Sequence, residues 1–315
     1  MAELKYRIMF TGDDHLSSRN YGGHYNYPKE SLHYFNLLTD IAKKYGVTHW
    51  IGLGDFTYGR FGSDLAYRKE VEEALEKQMA VVNGERYMIK GNHDTASSGM
   101  TEYEFYAGKM FKTSCDLEVD NLIIHMKDFG DISGVNTDDG KTHVIATHGF
   151  FTFESTPMNF MGEAVKLDRK ADWFGVPYII CGHIHEEHVI NGMISNGKEA
   201  YRTVVHYLPC LSRPQYHGEA TPETGAISFI DVYDDGSLQY NRHEVELLPI
   251  GQCFNVQQIE ETKENNRKER IDLSDITKRL ADREISIGNP EDLIMGMSDI
   301  KIEYRKKAVE LLKEV

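Results

Sequence analysis

The chain has 315 residues, 40% of them hydrophobic, with a formal net charge of −15 and a pI near 5.4, enough for one large domain with an appendage. A surface this acidic argues against non-specific binding to nucleic acid, which needs basic surface. No apolar run reaches the length of a membrane helix, no secretory leader is visible, and Cys115, Cys181, Cys210 and Cys253 form no CxxC pair, so a soluble cytoplasmic protein with free thiols and no membrane partner is expected.

In chain order, Tyr6 to Phe10 reads as a first strand delivering Asp13 and His15. After a Gly- and Tyr-rich loop (Tyr21, Tyr25, Tyr27), expected to pack on itself, Pro28 can open a helix. Leu32, Phe35, Leu38, Ile41 and Ala42 keep helical spacing as far as Gly46. Thr48 to Leu53 is a buried strand ending at Gly54-Asp55, followed by Arg60, read as solvated or ion-paired. Ser63 is the expected N-cap of a helix over Leu65 to Val82, stopped by Asn83-Gly84. Tyr87-Met88-Ile89 forms a third strand ending at Gly91-Asn92-His93-Asp94, and this alternation of strands and helices predicts parallel βαβ units. Thr101 with Glu104 gives a capping-box pattern.

Strands then come faster: Leu122 to Met126, His143 to Thr147, Tyr178 to Cys181, Thr203 to Tyr207, Ala226 to Tyr233 and Leu238 to Glu246. Asp234-Asp235-Gly236 reads as a hairpin turn between the last two. This half is expected to be antiparallel or mixed, and the whole a two-sheet α/β sandwich. A composition shift near Gly251 divides a domain over 1–250 from an appendage over 251–315. The appendage has a charged tract, Glu260 to Arg270, and helical spacing over Ile271 to Glu284 and Asp292 to Val315.

The chemistry lies in the residues just beyond the apolar runs: Asp13-x-His15, Gly54-Asp55, Gly91-Asn92-His93-Asp94, His148 and Gly182-His183-x-His185. Carboxyl ends of parallel strands share one edge of a sheet, so segments scattered over the chain can meet there. Oxygen and imidazole donors in this number exceed the needs of one metal and suit a two-metal site for phosphoryl chemistry. In that order the motifs resemble the calcineurin-like metallophosphoesterase superfamily. The resemblance implies a four-layer α/β/β/α sandwich of two mixed sheets with a C-terminal helical appendage. It places Asp13, His15, Asp55 and His185 on a first metal, and Asp55, Asn92, His148 and His183 on a second. A hydroxide bridging the metals would be the nucleophile, with His93 assisting the leaving group. Manganese is the expected metal, with Fe, Zn and Mg as alternatives that this donor set also suits. Asp94 either orients its turn or takes part in the chemistry.

Gly54-Asp55-Phe56-Thr57 and GNHD differ from the GDxVDRG and GNHE of serine/threonine protein phosphatases. The long helix before Gly54-Asp55, the Tyr207-to-Arg213 run beyond GHIH and the closing hairpin look like the SbcD-type subunit of DNA repair nucleases. That likeness implies a manganese-dependent exonuclease/endonuclease acting on DNA, an SbcC-like ATPase partner bound through the C-terminal helices, and a homodimer. The alternative is a small-molecule phosphoesterase acting on cyclic nucleotides or nucleotide monoesters, which the charge of −15 favours. A metal-free scaffold is disfavoured because every ligand position and His93 are kept.

Overall fold

Alternation along the strands decides which residues form the core. In Leu4–Thr11 (β1), Ile8 and Phe10 point to one face and Met9 to the other, and all three are fully buried. A strand buried on both faces belongs inside a layered structure. The computed structural model describes residues 2–21, 23–58, 64–95, 100–155, 164–214, 216, 221–265, 306, 307 and 309.

After β1 come α1 (Tyr27–Tyr45), β2 (His49–Gly52), α2 (Leu65–Val81), β3 (Arg86–Met88), α3 (Glu102–Tyr106), β4 (Asp116–Val119), β5 (Leu122–Lys127) and β6 (Thr142–His148). The short β7 (Phe151–Thr152) and β8 (Val165–Lys166) are next, then β9 (Tyr178–Gly182), β10 (His188–Ser195), β11 (Ala200–Tyr207), β12 (Thr224–Tyr233), β13 (Leu238–Glu246) and α4 (Ile250–Cys253). One sheet has the order β13-β12-β1-β2-β3, and the other β10-β11-β9-β6-β5-β4. The fold is thus mixed α/β, with two large mixed sheets. β1, β2 and β3 are parallel, as the strand–helix alternation predicts. In the second sheet β5, β6, β9 and β11 are also parallel, and only the edge strands β4 and β10 run against them.

Between the sheets lie Ile8, Phe10, Ile51 and Leu53 from one side and Leu122, Ile124, Val144, Ala146 and Ile180 from the other. Over the outer face of the first sheet, Tyr34, Leu38, Ile41 and Ala42 of α1 cover Met9, Trp50 and Phe229. Over the second sheet, Leu167 and Trp173 cover Ile145, Ile179 and Val205. Those two residues stand on 3₁₀ turns, and among the described residues no α-helix forms that layer.

The local signals act as their chemistry dictates. Gly46 closes α1 in the left-handed conformation, and Asn26 caps its start. Ser63 lies outside the described residues; Asp64 caps α2 by accepting from the Tyr67 N–H. The Thr101–Glu104 capping box forms on α3. The Asp234-Asp235-Gly236 turn joins antiparallel β12 and β13. All four cysteines are free.

Met1–Asn255 forms one compact unit and Val256–Val315 another. Residues 256–265 are helical, whereas the helices expected over 271–284 and 292–315 lie outside the described residues, apart from 306, 307 and 309, which are helical. No described helix is long and apolar enough to cross a membrane.

Candidate metal centre

Every candidate ligand sits just past, or ends, a parallel strand. Asp13 and His15 lie just past β1, Asp55 past β2, Asn92 and His93 past β3, His148 at the end of β6, and His183 and His185 past β9. Three candidate ligands come from each sheet, with Asn92 added from the first. The carboxyl ends of both sheets therefore face one spot.

The side chains meet there in two groups. Asp13, His15 and His185 converge in one, and Asp55, His148 and His183 in the other, with ligand atoms inside each group within 4.8 Å of one another. The His15 and His185 Nε2 atoms are 2.8 Å apart. Asp55 reaches both groups: its Oδ2 lies 3.3 Å from His148 Nε2 and 3.8 Å from His15 Nε2. Asn92 Oδ1 lies 3.0 Å from His148 Nε2. His93 is exposed beside them, its ring centroid 5.3 Å from His15.

The donor chemistry fits cations. The His148 Nδ1–H donates to the Leu53 carbonyl at 2.7 Å, which leaves Nε2 as a lone pair. Asp55 Oδ2, Asn92 Oδ1 and, at 3.1 Å, His183 Nδ1 converge on that lone pair. A positive charge at that point would satisfy all of them. Without a metal, a proton takes that role. Burial pulls the His148 imidazole down, but Asp13 and Asp55 outweigh it and push it up to about 9. Burial pushes the Asp13 carboxyl up to about 8, against the pull of His148 and with the repulsion of Asp55. Burial also acts to raise Asp55, yet His148 and His15 overcome it and hold that carboxyl below the usual range. His183 is lowered to about 4, by burial first and His148 second.

The backbone is bent to make this convergence. His15, Asp55 and His183 adopt φ of 46°, 47° and 88°, a region costing a non-glycine residue roughly 1–3 kcal/mol. The His183 N–H donates to both Asp13 oxygens at 3.1 Å, and the His93 N–H donates to Asp55 Oδ1 at 2.8 Å. Asp94 is fully buried and accepts from the N–H groups of Gly91, Phe56 and Thr57 at 2.9, 3.2 and 3.3 Å. It ties the Asp55 loop to the Asn92 turn, which makes it a positioning residue. Gly91 is required by close approach: a Cβ there would collide with the main-chain nitrogen and carboxylate of Asp55. Gly91→Ala is expected to displace Asp55 and cut bound metal to at most about one ion per chain, read by elemental analysis.

Sequence reasoning missed several neighbours. Tyr27 packs beneath the site, its hydroxyl donating to the His15 carbonyl at 2.9 Å. Tyr21 does pack within its own loop, 5.7 Å from Tyr27, but it also donates its hydroxyl to the Tyr58 carbonyl. Phe129 and Phe150 flank His183 at 5.5 and 4.1 Å. Asp14 forms a buried ion pair with Arg86 at 3.4 Å, directly under Asp13 and His15. The doubled acid Asp13-Asp14 was the one signal for that pair. Arg60 lies outside the described residues.

Two facing sheets whose strand ends supply two clusters of oxygen and imidazole donors, joined through one aspartate, define a dimetal hydrolase of phosphoesters. The chain belongs to the calcineurin-like phosphoesterase family, whose pattern matches residues 6–187. A search of curated proteins finds no match. Among solved structures, a dimetal phosphatase from Danio rerio is similar at 12% identity and a TM-score of 0.48, covering 78% of this chain and 100% of that one.

Proposed function

We propose that the protein is a manganese-dependent phosphodiesterase acting on DNA, similar to the SbcD-type nuclease subunit. The observation that carries the diesterase chemistry is His93, exposed beside two ligand groups that share Asp55, with no hydrogen-bond partner for its imidazole among the described residues. Two cations held by these residues would supply Lewis-acid charge and a water of lowered pKa. The chain's own groups do the rest. His93 delivers a proton to the departing alkoxide, the demanding step when the leaving group is a sugar hydroxyl. Asn92 contributes a neutral oxygen, leaving net positive charge for an anionic ester. His185, with 36% of its side chain exposed, marks the open side, whereas Asp13, His15 and His148 are closed off beneath it.

Support for DNA as substrate comes from chain order. Beyond GHIH the chain runs through β11 into Tyr207 to Arg213 and closes with the β12–β13 hairpin, as in SbcD-type subunits. In the same reading residues 251–315 engage an ATPase partner and the chain works as a cytoplasmic homodimer. The net charge of −15 favours a second reading, a phosphoesterase of cyclic nucleotides or nucleotide monoesters, because an acidic surface repels duplex DNA.

End-labelled single- and double-stranded DNA incubated with Mn²⁺ separates the two readings. Cleavage by the wild type is expected to drop by roughly 10²–10⁴ in His93→Ala, the range of a lost proton donor. DNA left intact, with p-nitrophenyl phosphate turned over faster than its bis ester, would leave the second reading standing.

A further inference from the structure

The metal centre has a part-exposed aromatic at its rim. Phe129 is 44% exposed. Its ring lies 5.5 Å from His183 and 6.0 Å from His148, both in the second ligand group. This ring is not on a loose loop. The Phe129 N–H donates to the Lys90 carbonyl at 2.8 Å, and Asp128 Oδ1 accepts from the Lys90 N–H at 2.8 Å and from the Ser114 hydroxyl. These bonds pin the residue beside the Gly91-Asn92-His93 turn. A plainer role would be to orient His183, but Phe150 already packs edge-on against that imidazole at 4.1 Å. The first ligand group has its own aromatic neighbour: Tyr58 lies 5.1 Å from His15 and 5.0 Å from His93. The centre therefore has a part-exposed aromatic ring, carried on a hydrogen-bonded main chain, next to the second ligand group.

We propose that Phe129 is a stacking platform for the planar base of a nucleoside phosphoester. The substrate class is then set by a base carried next to the reacting phosphate, and alkyl or sugar phosphoesters are poor substrates. Every base offers a π-face, so such a platform selects for a base without selecting which one. This rests on the phosphoesterase reading above and adds the group that the ester must carry.

The test compares metal-loaded protein on a thymidine dinucleotide, a thymidine oligomer and analogues of both lacking the bases, reading kcat and KM. The base-bearing esters are expected to be preferred by roughly tenfold to a hundredfold in kcat/KM, mostly through KM. Phe129→Ala and Phe129→Leu should shrink that ratio to about twofold or less, and Phe129→Trp should keep it. Leucine matters because it still packs on His183 yet offers no flat face. A preference for the dinucleotide points to free nucleotides as the source of the base, and one for the oligomer points to a strand; either supports the platform. Equal losses on base-bearing and base-free esters would reduce Phe129 to a support for His183 and overturn the proposal, as would a preference that survives Phe129→Ala. If no diester is cleaved, the diesterase reading alone falls. The same ratio is then read for thymidine monophosphate against deoxyribose 5-phosphate, by kcat/KM and by calorimetric Kd, and a ratio near one for the wild type overturns the platform.

Discussion

Asp55→Asn is expected to abolish turnover while leaving a folded protein of somewhat lower metal-free stability. Asp55 Oδ2 sits 3.8 Å from His15 Nε2 and 3.3 Å from His148 Nε2, so the two ligand groups share it. Asparagine keeps the size and the oxygen that accepts from the His93 N–H, but it removes the charge. Loss of that charge should weaken both cation sites, and a cation's share of transition-state stabilisation, several kcal/mol, amounts to at least about a thousandfold in rate. Metal-free stability should also fall. Burial acts to raise the Asp55 carboxyl, but His148 and His15 hold it below its usual range, so the folded protein gains stability from that charge above the unfolded carboxyl range and loses it in the asparagine variant. Relief of the repulsion that Asp55 exerts on Asp13 offsets only part of this. Wild-type protein should gain Tm on addition of Mn²⁺, by about 2.7 kcal/mol of stabilisation at a hundredfold excess over Kd. The variant should gain almost none. Two metal ions per chain retained in the purified variant would contradict the sharing of Asp55.

Arg86→Ala is expected to be the most destabilising single change outside the ligands. Arg86 is fully buried, stacked 5.0 Å from Trp50, donating from Nε to Gln78 Oε1 at 2.6 Å and paired with Asp14 at 3.4 Å. Burial lowers the guanidinium to about 10 and raises the Asp14 carboxyl to about 7, each opposed by the other partner. Alanine would strand Asp14 in the core, a loss of about 3–5 kcal/mol for a buried pair broken on one side. Urea unfolding should show it as a lower midpoint at constant m-value. Arg86→Met with Asp14→Asn should recover a large part, because the stranded charge is then gone. A midpoint shift worth less than about 1 kcal/mol for Arg86→Ala would mean the pair is dispensable. Because Asp14 lies between Asp13 and His15, the alanine variant should also bind metal more weakly.

Legibility from residues alone depends on which interactions are local. The candidate ligands could be read because each comes directly after a short apolar run, and parallel strands bring such positions to one edge whatever their distance in sequence. Helix ends could be read because caps act within four residues: Gly46, and Thr101 with Glu104, needed no tertiary context. The parallel centre of the second sheet was not legible. Its crossovers, 128–141 and 149–177, contain no α-helix among the described residues, so the strand–helix rhythm is missing. β10 (HVINGMIS) was missed because a glycine and polar residues interrupt its alternation, while its outward Val189 and Met193 stay exposed. Asp14 and Arg86 are 72 residues apart, and no short-range pattern joins them. Phe129 was silent for the same reason, being one phenylalanine in a loop until the fold sets it beside His183.

The division of donors between the sheets has a mechanical consequence. Asp13, His15, Asp55 and Asn92 extend from strands of one sheet, while His148, His183 and His185 belong to the other. Cations at this edge would act as rivets through the seam of the sandwich, resisting shear between its halves. Stripping them should therefore speed amide exchange along the facing ends of β1, β2, β6 and β9 together, well before the rest of either sheet loosens.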